Sequence, residues 1–79
     1  MGYTKEELLI LSLHKKASTD GDVHREFSQQ EMVEVSGMSE KQVKCILRTL
    51  LQANFLKKLA DDSYNLSDNG IRLIETLIL

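Results

Sequence analysis

Between Ser39 and Ala53 the apolar residues recur at helical spacing. At about 100° per residue, Val43, Ile46, Leu47 and Leu50 fall on one side of a helix, and Lys41, Lys44, Arg48 and Gln52 fall on the other. A helix with an apolar back and a basic front is built to dock on something. Ser36-Gly37-Met38 stands directly before it. Gly37 can take the left-handed conformation that ends one helix, and Ser39 can cap the next. This is the layout of a helix-turn-helix, over about 28–53.

The rest of the chain arranges itself around that unit. Thr4 with Glu7 forms a capping box that opens a first helix running to Lys16 or Ala17. Leu8, Leu9, Ile10, Leu11 and Leu13 make this helix apolar around more than one stripe, which suits a central core helix and also one that packs on a neighbouring chain. Ser18-Thr19-Asp20-Gly21-Asp22 is a cluster of turn formers. Val23 to Phe27 suits a short extended segment at the edge of a small sheet, with His24 and Arg25 solvated.

Ser28 with Glu31 opens a second helix that stops at Gly37, and Ser39 with Gln42 opens the third. Asn54 is a left-handed stop, Phe55 to Ala60 reads as a strand, Asp61-Asp62-Ser63 as its turn and Tyr64 to Leu66 as the returning strand. The hairpin therefore covers 55–66. Ser67 caps a final helix over 68–79, where Ile71, Leu73, Ile74, Leu77, Ile78 and Leu79 cover well over half the circumference and leave apolar surface exposed. The predicted class is mainly α with a small β-hairpin, in the order α-(β)-α-α-β-β-α, as one domain over 1–79.

Composition narrows the function. At 79 residues a single hydrophobic core is only just sufficient, and such a core is often completed by a partner. The 42% hydrophobic and 28% charged residues are ordinary for a soluble globular protein. No apolar run approaches the roughly 20 residues that span a bilayer, no signal peptide pattern is present, and Glu6 stands where a myristoylation signal after Met1-Gly2 wants Ser or Thr. A cytoplasmic protein without membrane association is expected.

The single Cys45 forms no internal disulfide, and no Cys or His cluster has zinc-finger spacing, so neither metal nor other cofactor is expected. No nucleophile, base and orienting group can be assembled from spacing, and no glycine-rich phosphate loop occurs; an enzyme is not expected. The net charge of −2 disfavours a purely electrostatic binder of nucleic acid, but its distribution does not. Lys41, Lys44, Arg48, Lys57 and Lys58 are five of the ten basic residues, and no acid lies between the first and last of them.

The segment from Met32 to Leu50, followed by Asn54-Phe55-Leu56 and then by Tyr64-Asn65-Leu66-Ser67-Asp68-Asn69-Gly70, resembles the winged helix-turn-helix of prokaryotic transcriptional regulators of the MarR-like and ArsR-like kind. The turn glycine of that pattern falls on Gly37, the serine opening the recognition helix on Ser39, and the buried aliphatics on Val43, Leu47 and Leu50. The joint between wing and last helix falls on Leu66, Ser67, Asp68 and Gly70. The resemblance implies DNA-reading positions at Ser39, Lys41, Gln42, Lys44, Cys45 and Arg48, with Lys57 and Lys58 offered by the wing to backbone phosphates. Asp61-Asp62 makes the wing tip acidic where a phosphate contact would want Lys or Arg, so the tip is not expected on DNA.

Groove chemistry points the same way. A helix entering the major groove must present donors such as Lys, Arg and Gln while core packing holds its opposite side, and Gln42 could pair an adenine edge. Cys45 serves as a small neutral residue on this reading, with thiolate redox sensing among the basic side chains as the alternative. Two functional classes follow. One is a regulator of double-stranded DNA, working as a homodimer through Leu9, Leu13, Ile74, Leu77 and Ile78. The other is a protein-interaction module in a larger assembly, for which the acidic total charge would be suited.

Overall fold

Each of the first three helices begins where a side chain can occupy its free amides. In the computed structural model, which describes residues 2–78, Thr4, Ser28 and Ser39 each accept a hydrogen bond from the N–H three residues on. Glu7, Glu31 and Gln42 reach back to the N–H of the capping residue. These capping boxes open α1 (Lys5–Thr19), α2 (Gln29–Ser36) and α3 (Glu40–Gln52). α1 runs past the predicted Lys16 or Ala17, since the N–H of Asp20 still bonds the carbonyl of Lys16 at 3.0 Å.

The helix stops are equally local. Gly37 ends α2 at φ 73°, and Asn54 ends α3 at φ 64°. The Asn54 N–H donates to the Leu51 carbonyl at 3.2 Å and the Phe55 N–H to that of Leu50 at 3.0 Å, the paired bonds of a Schellman motif. Asparagine tolerates this conformation better than most residues.

An antiparallel hairpin follows, β1 (Leu56–Ala60) and β2 (Ser63–Leu66), and leads into α4 (Asp68–Ile78). Leu56 pairs with Leu66, Lys57 with Asn65 and Lys58 with Tyr64; a register shift between Lys58 and Ala60 leaves Leu59 unpaired. Leu79, predicted as the last residue of this helix and part of its apolar face, lies outside the described residues.

The edge strand predicted over Val23 to Phe27 is reduced to one residue. Phe27 exchanges both backbone hydrogen bonds with Tyr64, at 2.7 and 2.9 Å. Before it the chain is turned, because the Asp22 carboxylate accepts from the His24 N–H at 3.0 Å and the Asp22 carbonyl from the Arg25 N–H at 3.0 Å.

Arg25 is not solvated as its sequence context suggested. Its Nε lies 2.9 Å from Asp20, its Nη2 2.7 Å from Glu31, and its guanidinium carbon 4.5 Å from the centre of the Phe27 ring. One side chain thus ties the end of α1 to the start of α2. The Ser28 N–H and then Arg25 hold the Glu31 carboxyl below its ordinary value of 4.5.

α1 is the centre of the core. Its Leu9, Ile10, Leu13 and Ala17 are fully buried, against Met32 of α2, Val43, Ile46, Leu47 and Leu50 of α3, Leu56, Tyr64 and Leu66 of the hairpin, and Ile74 of α4. α1 touches α2, α3, α4 and β2. Most of its apolar surface is therefore consumed inside the chain, with Leu8 left exposed. Leu9, Leu13 and Ile74, assigned to a dimer interface from the sequence, are each 0% exposed and have no surface to offer a second copy. Leu77 is half-buried, and Ile78 remains 60% exposed.

The joint before α4 sets how the hairpin sits. The Ser67 N–H donates to the Phe55 carbonyl at 3.2 Å, its hydroxyl donates to the Asn54 carbonyl, and its oxygen accepts from the Gly70 N–H at 3.0 Å. A Cβ on Gly70 would stand 2.1 Å from the Phe55 oxygen. Gly70→Ala is therefore expected to destabilise by roughly 1–3 kcal/mol through overpacking, although alanine is the better helix former by about 1 kcal/mol; urea unfolding gives the sign directly.

The depressed Glu31 carboxyl contributes stability that is present above 4.5 and is lost as pH falls through its lower folded value. The native chain should then be more stable than Glu31→Gln at neutral pH. Thermal unfolding across a pH series should show that gap closing in acid below 4.5.

Candidate nucleic-acid interface

Burial on one side of α3 decides what its other side presents. Val43, Ile46, Leu47 and Leu50 are anchored in the core, so Lys41, Lys44, Cys45 and Arg48 are exposed along the opposite face. These four line one shallow depression. Among the described residues, none of Lys41, Lys44, Arg48, Lys57 and Lys58 takes part in an ion pair. An uncompensated cluster of this kind raises the local potential whatever the net charge of the chain.

The first turn of α3 is less free. The Ser39 oxygen accepts from the Gln42 N–H at 3.2 Å, and Gln42 Oε1 accepts from the Ser39 N–H at 3.3 Å. Bidentate pairing with adenine needs both the oxygen and the NH2 of a carboxamide. Gln42 can offer both only by giving up its half of the cap. Lys41, Lys44 and Arg48 carry no such prior engagement.

The two wing lysines do not form one patch. Successive residues of a strand point to opposite faces; Lys58 stands across from buried Tyr64, Lys57 across from Asn65. Lys57 opens instead onto a concavity shared with His24 and Arg72. Sequence reading missed Arg72 because it is a single basic residue on an otherwise apolar helix, brought to Lys57 only by the fold.

The acidic wing tip has an internal partner. Asp62 Oδ1 accepts from the Gln29 N–H at 3.0 Å, and the neighbouring Ser63 hydroxyl bonds the Glu26 carboxylate. An anion is favoured at the amino end of a helix. Asp62 therefore supplements the Ser28 cap of α2, a contact 33 residues apart in sequence with no local signature. The free thiol of Cys45 is exposed. No helix among the described residues is long and apolar enough to cross a membrane.

No protein-family model matches the sequence, and no curated protein matches it. Solved structures do. BpsR of Bordetella bronchiseptica, whose DNA binding is regulated by 6-hydroxynicotinic acid, superposes with a TM-score of 0.76 at 14% identity, over 96% of this chain and 53% of its own. A glycine-to-lysine variant of S. aureus MepR gives 0.73 at 18% identity, over 96% and 56%. A glutamine-to-proline variant of MepR from a multidrug-resistant S. aureus clinical isolate gives 0.72 at 18%, over 96% and 55%. This chain spans a little over half the length of each. At such identities the shared property is the backbone arrangement: four helices and a two-stranded hairpin in a winged helix-turn-helix fold.

Proposed function

We propose that the chain is a DNA-binding transcriptional regulator that places α3 in the major groove of duplex DNA and works as a cytoplasmic homodimer. The observation that carries this reading is the unpaired face of Lys41, Lys44 and Arg48 on a helix whose reverse side is locked in the core. The likeness to BpsR, a protein whose DNA binding is regulated, supports it at the level of the fold. Lys44 and Arg48 meet guanine edges or phosphates, Lys41 meets phosphate, and Cys45 lies between them as a small neutral contact. Lys58 and Lys57 reach the backbone from separate faces of the wing. Ser39 and Gln42 hold the first turn in place.

The dimer contact moves from the buried leucines to what stays open near the two ends. Tyr3 is 45% exposed, Leu8 43% and Ile78 60%, with Leu77 half-buried beside them. The Tyr3 hydroxyl donates to the Leu77 carbonyl at 3.1 Å, which joins the segment before α1 to the end of α4. The longest dimension of the protomer is 32 Å. A dimer that reads two successive half-sites must set its α3 helices about one duplex turn apart, roughly 34–36 Å.

Anisotropy of a labelled random-sequence duplex across a salt series tests the interface. Binding should weaken on a log–log plot with a slope of about −0.9 per phosphate neutralised. Lys44→Glu with Arg48→Glu should abolish binding while the circular dichroism stays unchanged. Normal binding by that variant would remove α3 from the interface. Leu8→Glu with Ile78→Glu should halve the mass seen by light scattering, and an unchanged dimer would place the contact elsewhere.

A further inference from the structure

Lys57 and Arg72 share an opening that the α3 face does not account for. With His24, Asn54, Asn65 and Asn69 they line a concavity of about 480 Å³ between the hairpin and the first turns of α4. That lies inside the range of small-ligand sites, roughly 300–1,000 Å³. The side-chain nitrogens of His24, Lys57 and Arg72 come from three separate parts of the chain: the turn before Phe27, β1 and α4. Among the described residues neither Lys57 nor Arg72 is in an ion pair. The one carboxylate in the lining, Asp68, lies 3.7 Å from His24 Nε2 and is 88% exposed.

Clustered cations repel one another in a concave site unless an anion joins them. A guanidinium presents a planar fork of donors that matches phosphate oxygens, and an ammonium adds a compact charge. The carboxamides of Asn54 and Asn69 supply neutral donors at the same rim. We infer that this concavity binds a phosphate group, neutralised by Lys57 and Arg72, and supplied either by a duplex backbone or by a small phosphorylated ligand. The first source rests on the DNA-binding reading; the second does not.

Titration of the full chain with inorganic phosphate, followed in amide correlation spectra at constant ionic strength, tests the site directly. Saturable shifts should be confined to His24, Lys57 and the segment from Asp68 to Arg72. They should vanish in Lys57→Gln with Arg72→Gln. They should saturate at lower phosphate in Asp68→Asn, where a like charge has been removed. Spectral dispersion of each variant reports that it is folded.

A parallel salt series on duplex DNA separates the sources. If the doubly substituted chain, Lys57→Gln with Arg72→Gln, shows a slope shallower by about 0.9 for each phosphate it no longer neutralises, the phosphate belongs to the duplex. Phosphate shifts with an unchanged slope assign it to a free ligand. The site is overturned if chloride reproduces the shifts, or if neither the phosphate spectra nor the duplex slope depends on Lys57 and Arg72. Should the native chain bind no duplex at all, the DNA-binding reading falls and the phosphate titration alone decides this one.

Discussion

The approach of α4 to the turn after α3 is the contact on which the placement of the basic surfaces depends. Gly70 lets the Phe55 carbonyl come within a distance that any side chain would forbid, and Ser67 bonds both Asn54 and Phe55 while capping α4. β1 leaves from this joint and β2 returns to it. The hairpin is thereby tied at both ends to the carboxyl end of α3. Hydrogen bonds at its base hold it there, and Lys57 and Arg72 come to line one concavity.

Folding divides the charged side chains into two groups with different work. Arg25 is taken up by Asp20, Glu31 and the Phe27 ring, and Asp62 by the amino end of α2. These contacts fasten the α1–α2 connection and the wing tip. Lys41, Lys44, Arg48, Lys57 and Arg72 are left without carboxylate partners among the described residues. A chain of net charge −2 therefore still presents basic side chains that no carboxylate pairs among the described residues.

The apolar side chains follow a similar division. α1 supplies the centre of the core and α3 one full face of it, so the leucines and isoleucines with helical spacing are nearly all consumed internally. Among the described residues, the large apolar side chains that escape burial are Tyr3, Leu8, Val23, Leu59 and Ile78, and Tyr3 is bonded to the last turn of α4. A domain this small gains from covering such side chains.

The helix starts and the stops of α2 and α3 were legible in the sequence because the interactions that define them act within one turn, whereas the end of α1, which carries no such signal, ran past its predicted place. Thr4 with Glu7, Ser28 with Glu31 and Ser39 with Gln42 close their rings over three residues, and Gly37 and Asn54 stop helices through their own backbone conformation. The two-faced pattern of α3 was legible for the same reason, since its period is a property of the helix itself. Periodicity could not say whether Leu9, Leu13 and Ile74 would be covered by this chain or by another, because both arrangements bury the same stripe. Nor could it reveal that Arg25 would be half-buried, that Asp62 would reach Gln29, or that Lys57 and Arg72 would line one concavity. Those pairings exist only after chain closure brings distant segments together, and the tertiary structure alone decided them.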